Sequence, residues 1–277
     1  MWVIAILVNA VMGALLAPFR ALPGLGLIVV SALTGVVMLL IFGRTSNQNA
    51  IRHAKSRLKA HIAEIWLFKD DLAQMLLATA RVLGQTGRYF AHSLRPLLFL
   101  FVPVLVIMVT LGARYAHRPF RPEEGAMVAV VLDDQAWTRD ASVTLEASDG
   151  LEVVSPALRI PAKREIDWRI TTRTAGSHLL TVGTPRGTVT KKIEVRDDPR
   201  PLTALAPSRG RALSGAFLEY PVEPPLSAAA GVREIRVVGW PVRELRVLGI
   251  TVHWLVAFFV LSLVAGLAVK DAFGVEV

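Results

Sequence analysis

Two adjacent acidic residues, Asp70 and Asp71, stand inside a basic stretch of the chain and are the first residues whose spacing suggests chemistry. A pair of carboxylates can act as general acid and general base, but no partner site is evident near this pair. The favoured interpretation is a turn followed by a helix cap, because carboxylates accept hydrogen bonds from unpaired N–H groups at a helix start and suit the positive end of its dipole. The alternative is one continuous helix with both acids exposed.

The other reactive residue types form no catalytic or metal-binding pattern. The sequence contains no GxxxxGK[ST] phosphate loop, no HExxH zinc motif and no GxSxG nucleophile motif. The absence of cysteine excludes disulfides, thiolate metal sites and cysteine nucleophiles. The six histidines show no ligand spacing and lie at positions 53, 61, 92, 117, 178 and 253. We therefore expect no enzymatic activity, no metal and no cofactor.

Composition and charge indicate a membrane protein. Hydrophobic residues make up 53% of the 277 residues, and the mean hydropathy of +0.49 is too high for an ordinary soluble domain. The apolar residues are concentrated in blocks, which is the pattern of membrane spans. The net charge of +9 is compatible with nucleic-acid binding or with a basic cytoplasmic flank. The positive-inside rule favours the flank, and we expect no sequence-specific binding of nucleic acid.

Apolar blocks predict four transmembrane segments in an inner (plasma) membrane, with the bilayer as the first partner. The segments are residues 2–19, 25–43, 96–114 and 247–270. The first is short, so an interfacial or signal-like anchor is its alternative. Pro96 fits the first turn of the third segment, and Pro103 predicts a kink in it. Arg95 and Arg114 bracket this segment, and we expect both to snorkel to the interfaces.

Residues 44–95 predict a cytoplasmic helical hairpin of the coiled-coil type. They carry nine basic and three acidic residues, a net charge of +6, and short basic loops stay in the cytoplasm. Apolar residues recur at helical spacing before and after Asp70 and Asp71, which mark the turn. The candidate contacts to ribosomes or anionic lipid are Arg52, Lys55, Arg57, Lys59 and Lys69.

Residues 115–246 predict an antiparallel, immunoglobulin-like β-sandwich outside the cytoplasm. Short runs alternate apolar and polar residues, and Ile166, Trp168 and Ile170 should form an inward face. Asp149-Gly150 predicts a hairpin, and the segment 184–187 predicts another turn. The proline-rich segment 197–231 should form an extended connection, and 232–240 should add one more strand. With the basic hairpin inside, the tail 271–277 returns to the cytoplasm.

The order of span, basic helical hairpin, span, outside segment and span resembles the core of the YidC/Oxa-type membrane insertase superfamily. The chain is most similar to the small archaeal YidC-like proteins and the insertase subunit of the ER membrane complex. The matching half of the chain runs from Leu22-Pro23 through LIVVSALTGVVMLL and the hairpin 47–94 to SLRPLLFLFVPVLVIM. This resemblance implies a groove open to cytoplasm and lipid, and a hairpin that meets ribosomes or clients.

Two features depart from that superfamily. Its members usually place a positive charge in the groove, whereas the spans here offer only Arg95 and Arg114 at their ends. A β-domain of more than a hundred residues also replaces a short loop.

The resulting hypothesis is an insertase-like or chaperone-like protein that assists membrane-protein insertion or assembly, with ribosomes or nascent membrane proteins as partners. One alternative is a structural adaptor whose exported domain binds an envelope protein, and another is a membrane subunit of a transporter complex. A charged groove would favour the first hypothesis. A dry helix bundle, together with an exposed apolar patch on the sandwich, would favour the adaptor.

Overall fold

The computed structural model describes most of the chain as two compact units. The described residues are 2–46, 56, 72–138, 142–247 and 249–275. The first unit contains Met1–Gly26 with Ile107–Leu255, and the second contains Leu27–Val106 with Val256–Val277. The β-domain belongs to the first unit.

The helices of the described chain differ from the prediction of four full-length spans. They are α1 Trp2–Leu16, α2 Pro23–Thr45, α3 Leu72–Tyr115, α4 Gly215–Glu219 and α5 Trp254–Val269, with a 3₁₀ turn, Ala17–Phe19, after α1. Two stretches, α2 and Leu98–Tyr115 of α3, are long and apolar enough to cross a bilayer. The apolar helices α1 and α5 have 15 and 16 residues. They reach about 24 Å, short of about 30 Å of hydrocarbon.

Helix α3 is longer than the sequence suggested. The expected new helix at Pro96 is absent as a separate element, because one 44-residue helix runs through both Pro96 and Pro103. A proline removes one backbone hydrogen bond, and this local cost is outweighed where helix-forming residues continue on both sides. The predicted turn at Asp70 and Asp71 lies outside the described residues, so the choice between hairpin and continuous helix stays a prediction.

Antiparallel sheets form the β-domain, as predicted. Its strands are β1 Gly125–Leu132, β2 Thr144–Ala147, β3 Leu151–Val153, β4 Leu158–Ile160, β5 Glu165–Thr172, β6 Gly176–Thr184, β7 Gly187–Val195, β8 Ser208–Gly210, β9 Val232–Val238, β10 Leu245–Val247 and β11 Ile250–Val252. One sheet has the order β3-β5-β1-β9-β8, with β4 also paired to β5. A second has the order β2-β6-β7, and β10 pairs with β11 in a ribbon.

The predicted inward face is confirmed. Ile166 and Ile170 are fully buried, and Trp168 is 5% exposed. They join one hydrophobic cluster with Leu180 and Ile193 of the three-stranded sheet, so the two sheets share a core. Alternating apolar residues therefore define the buried face of each sheet.

One of the two predicted turns joins different strands from those expected. The turn 184–187 connects the neighbouring strands β6 and β7, as predicted, with Thr184 and Gly187 in register. Asp149-Gly150 turns the chain, and Gly150 has φ +95°, but β2 and β3 belong to different sheets. This turn is a crossover, because β2 pairs with β6 while β3 pairs with β5. Local turn chemistry shows where the chain reverses but does not select the strand partner.

The segment after β7 contains more structure than an extended connection. It includes β8 and α4, and the predicted last strand is present as β9, Val232–Val238. The ribbon β10–β11 was not predicted, and it occupies the start of the predicted last span. Helix α5 therefore begins only at Trp254.

Candidate functional site

The structure places few of the residues proposed from sequence as contact sites. Arg52, Lys55, Arg57, Lys59, Lys69, Asp70 and Asp71 all lie outside the described residues, and Ser56 between them is helical. Arg95 lies on the helix α3, and Arg114 lies in its last turn. The basic hairpin surface therefore stays a prediction, and the described chain offers other sites.

Arg114 does not snorkel as expected, because its side chain is held inside the protein. The residue is 6% exposed. Its Nη1 donates to Asn9 Oδ1 over 3.0 Å and to the Thr110 carbonyl over 2.9 Å, while Nη2 donates to the Asn9 carbonyl over 2.9 Å. Gly13 lies beside it, since a Cβ there would be in ordinary contact with Nη2 at 3.9 Å. Arg114 thus ties α3 to α1.

Asn9 is the second member of this polar site, and its role was not evident from sequence. Its Nδ2 donates to the Pro221 carbonyl over 2.9 Å, while its Oδ1 and main-chain oxygen accept from Arg114. Asn9 and Gly13 are four residues apart, so they share one face of α1. In the sequence, an asparagine and a glycine four residues apart in an otherwise apolar helix could have indicated a polar contact on this face.

An apolar groove lies among the helices of the second unit. Its volume is about 470 Å³, and α2, α3 and α5 all contribute to its walls. The aromatic side chains that line it are Phe42, Phe101, Phe258 and Phe259. Phe101 is 63% exposed and Leu263 is 64% exposed. Its described lining includes no charged side chain, so the groove suits an apolar occupant.

Small residues bring α2 and α5 together beside this groove. A Cβ on Gly35 would lie 2.1 Å from the Ser262 carbonyl oxygen, so the two backbones touch. A Cβ on Gly266 would lie 3.2 Å from the Gly35 carbonyl oxygen. Ser31 and Gly35 are four residues apart on α2, as Ser262 and Gly266 are on α5, which is the small-residue spacing of packed membrane helices. The groove is therefore held open by a close contact on one side.

A buried lysine in the β-domain was missed from sequence. Lys191 lies on the inward face of β7 between Val189 and Ile193, and it is fully buried. Its Nζ donates to the Glu223 carboxylate and to the Lys192 carbonyl over 3.2 Å. Burial lowers the pKa of Lys191, and the Glu223 carboxylate opposes this effect. The pair fastens the long connection before β9 to β7, so its geometry is structural.

Asp167 is a second polar group with an unusual environment. It lies on the face of β5 opposite to Trp168, where sequence alternation predicted a solvated surface, yet it is 5% exposed. No hydrogen-bond partner of its Oδ1 is found among the described residues. Burial and then the nearby Glu165 carboxylate raise the pKa of Asp167. Its charge therefore works against the folded state.

Comparison with known proteins gives no family or fold assignment. No protein-family model matches the sequence, and no curated protein and no solved structure matches the chain. Among the described residues, no group of three acidic or histidine side chains is placed to hold a metal ion. The groove and the polar site around Arg114 are therefore the described features that bear on function.

Proposed function

We propose that this chain is a multi-pass inner-membrane protein that assists the insertion or assembly of other membrane proteins by holding apolar segments. The observation that carries the proposal is the groove formed by α2, α3 and α5. These are the three helices that the resemblance to the YidC/Oxa-type superfamily assigns to its core.

The described lining lacks the charge that would favour an insertase-like groove, so it supports the chaperone-like form of this function. A groove that shelters polar segments needs polar or charged walls, whereas the described lining here is apolar apart from Thr34 and Ser262. Its volume of about 470 Å³ is in the range of about 300–1,000 Å³ that proteins use to enclose ligands. We expect it to hold an apolar segment of a new membrane protein before that segment packs against its own partners.

Topology is the second part of the proposal. The basic segment 44–95 lies in the cytoplasm, α2 and the end of α3 cross the membrane, and the shorter helices α1 and α5 cross it where the bilayer thins around them. The β-domain is then exported. Its strand order supports an immunoglobulin type, in which β1, β5 and β3 take the places of strands B, E and D while β2, β6 and β7 take those of C, F and G. Strand β9 takes the place of strand A.

Single cysteines test this topology cleanly, because the natural chain has none. Ser56→Cys in the basic segment should resist a membrane-impermeant thiol reagent in intact cells. Ser177→Cys in the β-domain should react. The opposite labelling pattern would reverse the orientation.

Site-specific crosslinking tests the groove with a matched pair of residues. Phe101 lines the groove and is 63% exposed, while Phe99 on the same helix is 58% exposed and is not part of the lining. A photocrosslinking residue at Phe101 should capture nascent polytopic membrane proteins, and the same residue at Phe99 should not. Equal capture from both positions would show that contact follows exposure and not the groove.

Ribosome contact is tested separately through the basic segment. Reversing Arg52, Lys55 and Lys59 to glutamate should weaken ribosome co-sedimentation, and added salt should weaken it for the natural protein. If the cations serve only topology and lipid contact, stripped membranes will rebind ribosomes no better with the protein than without it. That result would remove the ribosome from the proposal.

The adaptor function has one observation in its favour. Met127 and Val238 are directly opposed on β1 and β9 and are 39% and 42% exposed. An apolar cross-strand pair on the outer face of a sheet suits a protein contact. Met127→Lys with Val238→Lys should release an envelope partner if the adaptor function holds. The same change should leave crosslinking from Phe101 intact if the groove function holds.

A further inference from the structure

Three arginines surround one cavity of about 240 Å³ in the first unit. Arg20 follows the 3₁₀ turn after α1, Arg114 lies in the last turn of α3, and Arg196 follows β7 directly. No acidic side chain is present in the described lining of this cavity. All three side chains are positively charged, and Arg114 is buried while Arg20 and Arg196 are exposed.

The charges around the cavity are poorly compensated. Arg114 is 6% exposed, and its hydrogen-bond acceptors on Asn9 and Thr110 are neutral. Arg196 reaches one carboxylate, that of Glu194, over 3.5 Å. None of the ion pairs found among the described residues includes Arg20 or Arg114. A buried charge without an opposite charge is unfavourable, and the negative end of the α3 dipole offsets only part of that cost.

Backbone hydrogen bonds fix the walls of the cavity. The Leu202 N–H donates to the Arg20 carbonyl over 3.2 Å, and the Leu205 N–H donates to the Ala113 carbonyl over 2.7 Å. The segment between these bonds contributes Thr203 to the lining and adds a hydroxyl group. The cavity is thus built by fixed elements, which lowers the cost of binding a ligand there.

We propose that this cavity binds a phosphate group, either that of a lipid headgroup or a free phosphate ion. Guanidinium groups match phosphate oxygens in charge and in hydrogen-bond geometry. The volume of about 240 Å³ is below the range of about 300–1,000 Å³ for larger organic ligands, which favours a small anion. Arg114 also ends the apolar stretch Leu98–Tyr115, where a spanning helix meets lipid headgroups. The proposal does not depend on client binding in the groove.

Binding measurements on the full chain in neutral detergent test this site and identify the source of the phosphate. The probes are short-chain phosphatidylglycerol, the diacylglycerol with the same chains, and inorganic phosphate. A lipid site should bind phosphatidylglycerol at least tenfold more tightly than diacylglycerol, without competition from inorganic phosphate. A free-phosphate site should bind inorganic phosphate itself. Equal affinity for phosphatidylglycerol and diacylglycerol, without phosphate binding, would overturn the proposal.

Variants separate this site from general charge. Arg20→Gln and Arg196→Gln change side chains at the edge of the cavity and should each weaken binding of the phosphate-bearing probe by about three- to tenfold. Arg114→Met should weaken it by at least about tenfold. The control is Arg200→Gln, whose side chain is 83% exposed and is not part of the lining. The proposal fails if both edge variants bind as the natural protein does, or if Arg200→Gln weakens binding as much as they do.

Discussion

The buried ion pair of the β-domain allows a quantitative prediction. Glu223→Gln keeps the shape of the side chain but removes the charge that balances the Lys191 ammonium, which then has only neutral oxygen acceptors such as the Lys192 carbonyl. Breaking a buried ion pair by removing one partner costs about 3–5 kcal/mol. We expect Glu223→Gln to destabilise β7 and the connection packed on it by that amount at pH 7.

Proton loss from the lysine sets an upper limit on this cost. With an ordinary pKa of about 10.4 and about 1.36 kcal/mol per unit, neutralising a lysine at pH 7 costs about 4.6 kcal/mol. Burial lowers the pKa of Lys191, and loss of Glu223 lowers it further. The native state then binds fewer protons than the unfolded state between the two pKa values, so stability rises with pH in that window. The deficit of Glu223→Gln should therefore shrink as the pH is raised toward 10.

Hydrogen exchange of the β7 amides in the full chain measures this deficit. A loss of about 3–5 kcal/mol is about two to three and a half powers of ten in the opening equilibrium. Lys191→Met should reduce the stability less than Glu223→Gln does, because the Glu223 carboxylate still has the Arg209 guanidinium 3.9 Å away. Lys191→Met with Glu223→Leu should be neutral or stabilising. The matched control is Asp198→Asn, which removes one member of the exposed ion pair with Arg200 and should leave the exchange of the β7 amides unchanged. A deficit below about 1 kcal/mol, or one independent of pH, would contradict an unbalanced buried charge at Lys191.

Three further predictions concern the core, the outer sheet face and the helix contact. Trp168→Ala should cost about 3–5 kcal/mol and Arg169→Ala less than about 0.5 kcal/mol, and equal melting losses would contradict the strand register. Asp167→Asn should stabilise the protein at pH 7. Because its raised pKa makes the native state bind more protons, stability falls as pH rises from the unfolded pKa of 3.8 through the folded pKa. In denaturant titrations, the stability gained by Asp167→Asn should vanish below that pH window. A gain that persists at pH 3 would contradict the prediction. Gly35→Ala should push α2 away from α5 and lower the melting temperature in a thermal-shift assay. Gly84→Ala, whose added Cβ would meet nothing within 4 Å, should leave the melting temperature unchanged or raise it slightly. Equal changes in melting temperature for both variants would argue against the contact.

Periodicity predicted the β-domain well, because alternation reports directly which face of a strand is buried. Ile166, Trp168 and Ile170 were assigned to the core on this basis, and the structure confirms them. The same reasoning could not anticipate Lys191, because its partner Glu223 is 32 residues away and only tertiary structure brings the two together. The predicted pairing of strands across Asp149-Gly150 was wrong for a similar reason: local residues form the turn, but the partners of β2 and β3 are distant strands.

Prediction of the candidate sites from sequence was less complete. Arg114 was predicted to snorkel to the interface because it lies at the end of an apolar run, and only the placement of Asn9 shows why it is buried. The groove depends on the close approach of Gly35 to the backbone of α5, which composition does not encode. The lengths of the apolar blocks predicted the helices only in part, because the β10–β11 ribbon includes the first residues of the fourth block, 247–270.

The position of β9 has a consequence for the order in which this protein is made. The central strand β1 pairs with β5 on one side and with β9 on the other, and about a hundred residues separate β1 from β9 in the chain. Contacts between such distant segments form slowly, and until then β1 presents an open edge that can pair with other chains. Synthesis must pass Val238 before that edge can close, and α5 begins only sixteen residues later at Trp254. The β-domain therefore completes its larger sheet at almost the moment when the last apolar helix leaves the ribosome, so the protein's own biogenesis includes a long interval with an unprotected strand.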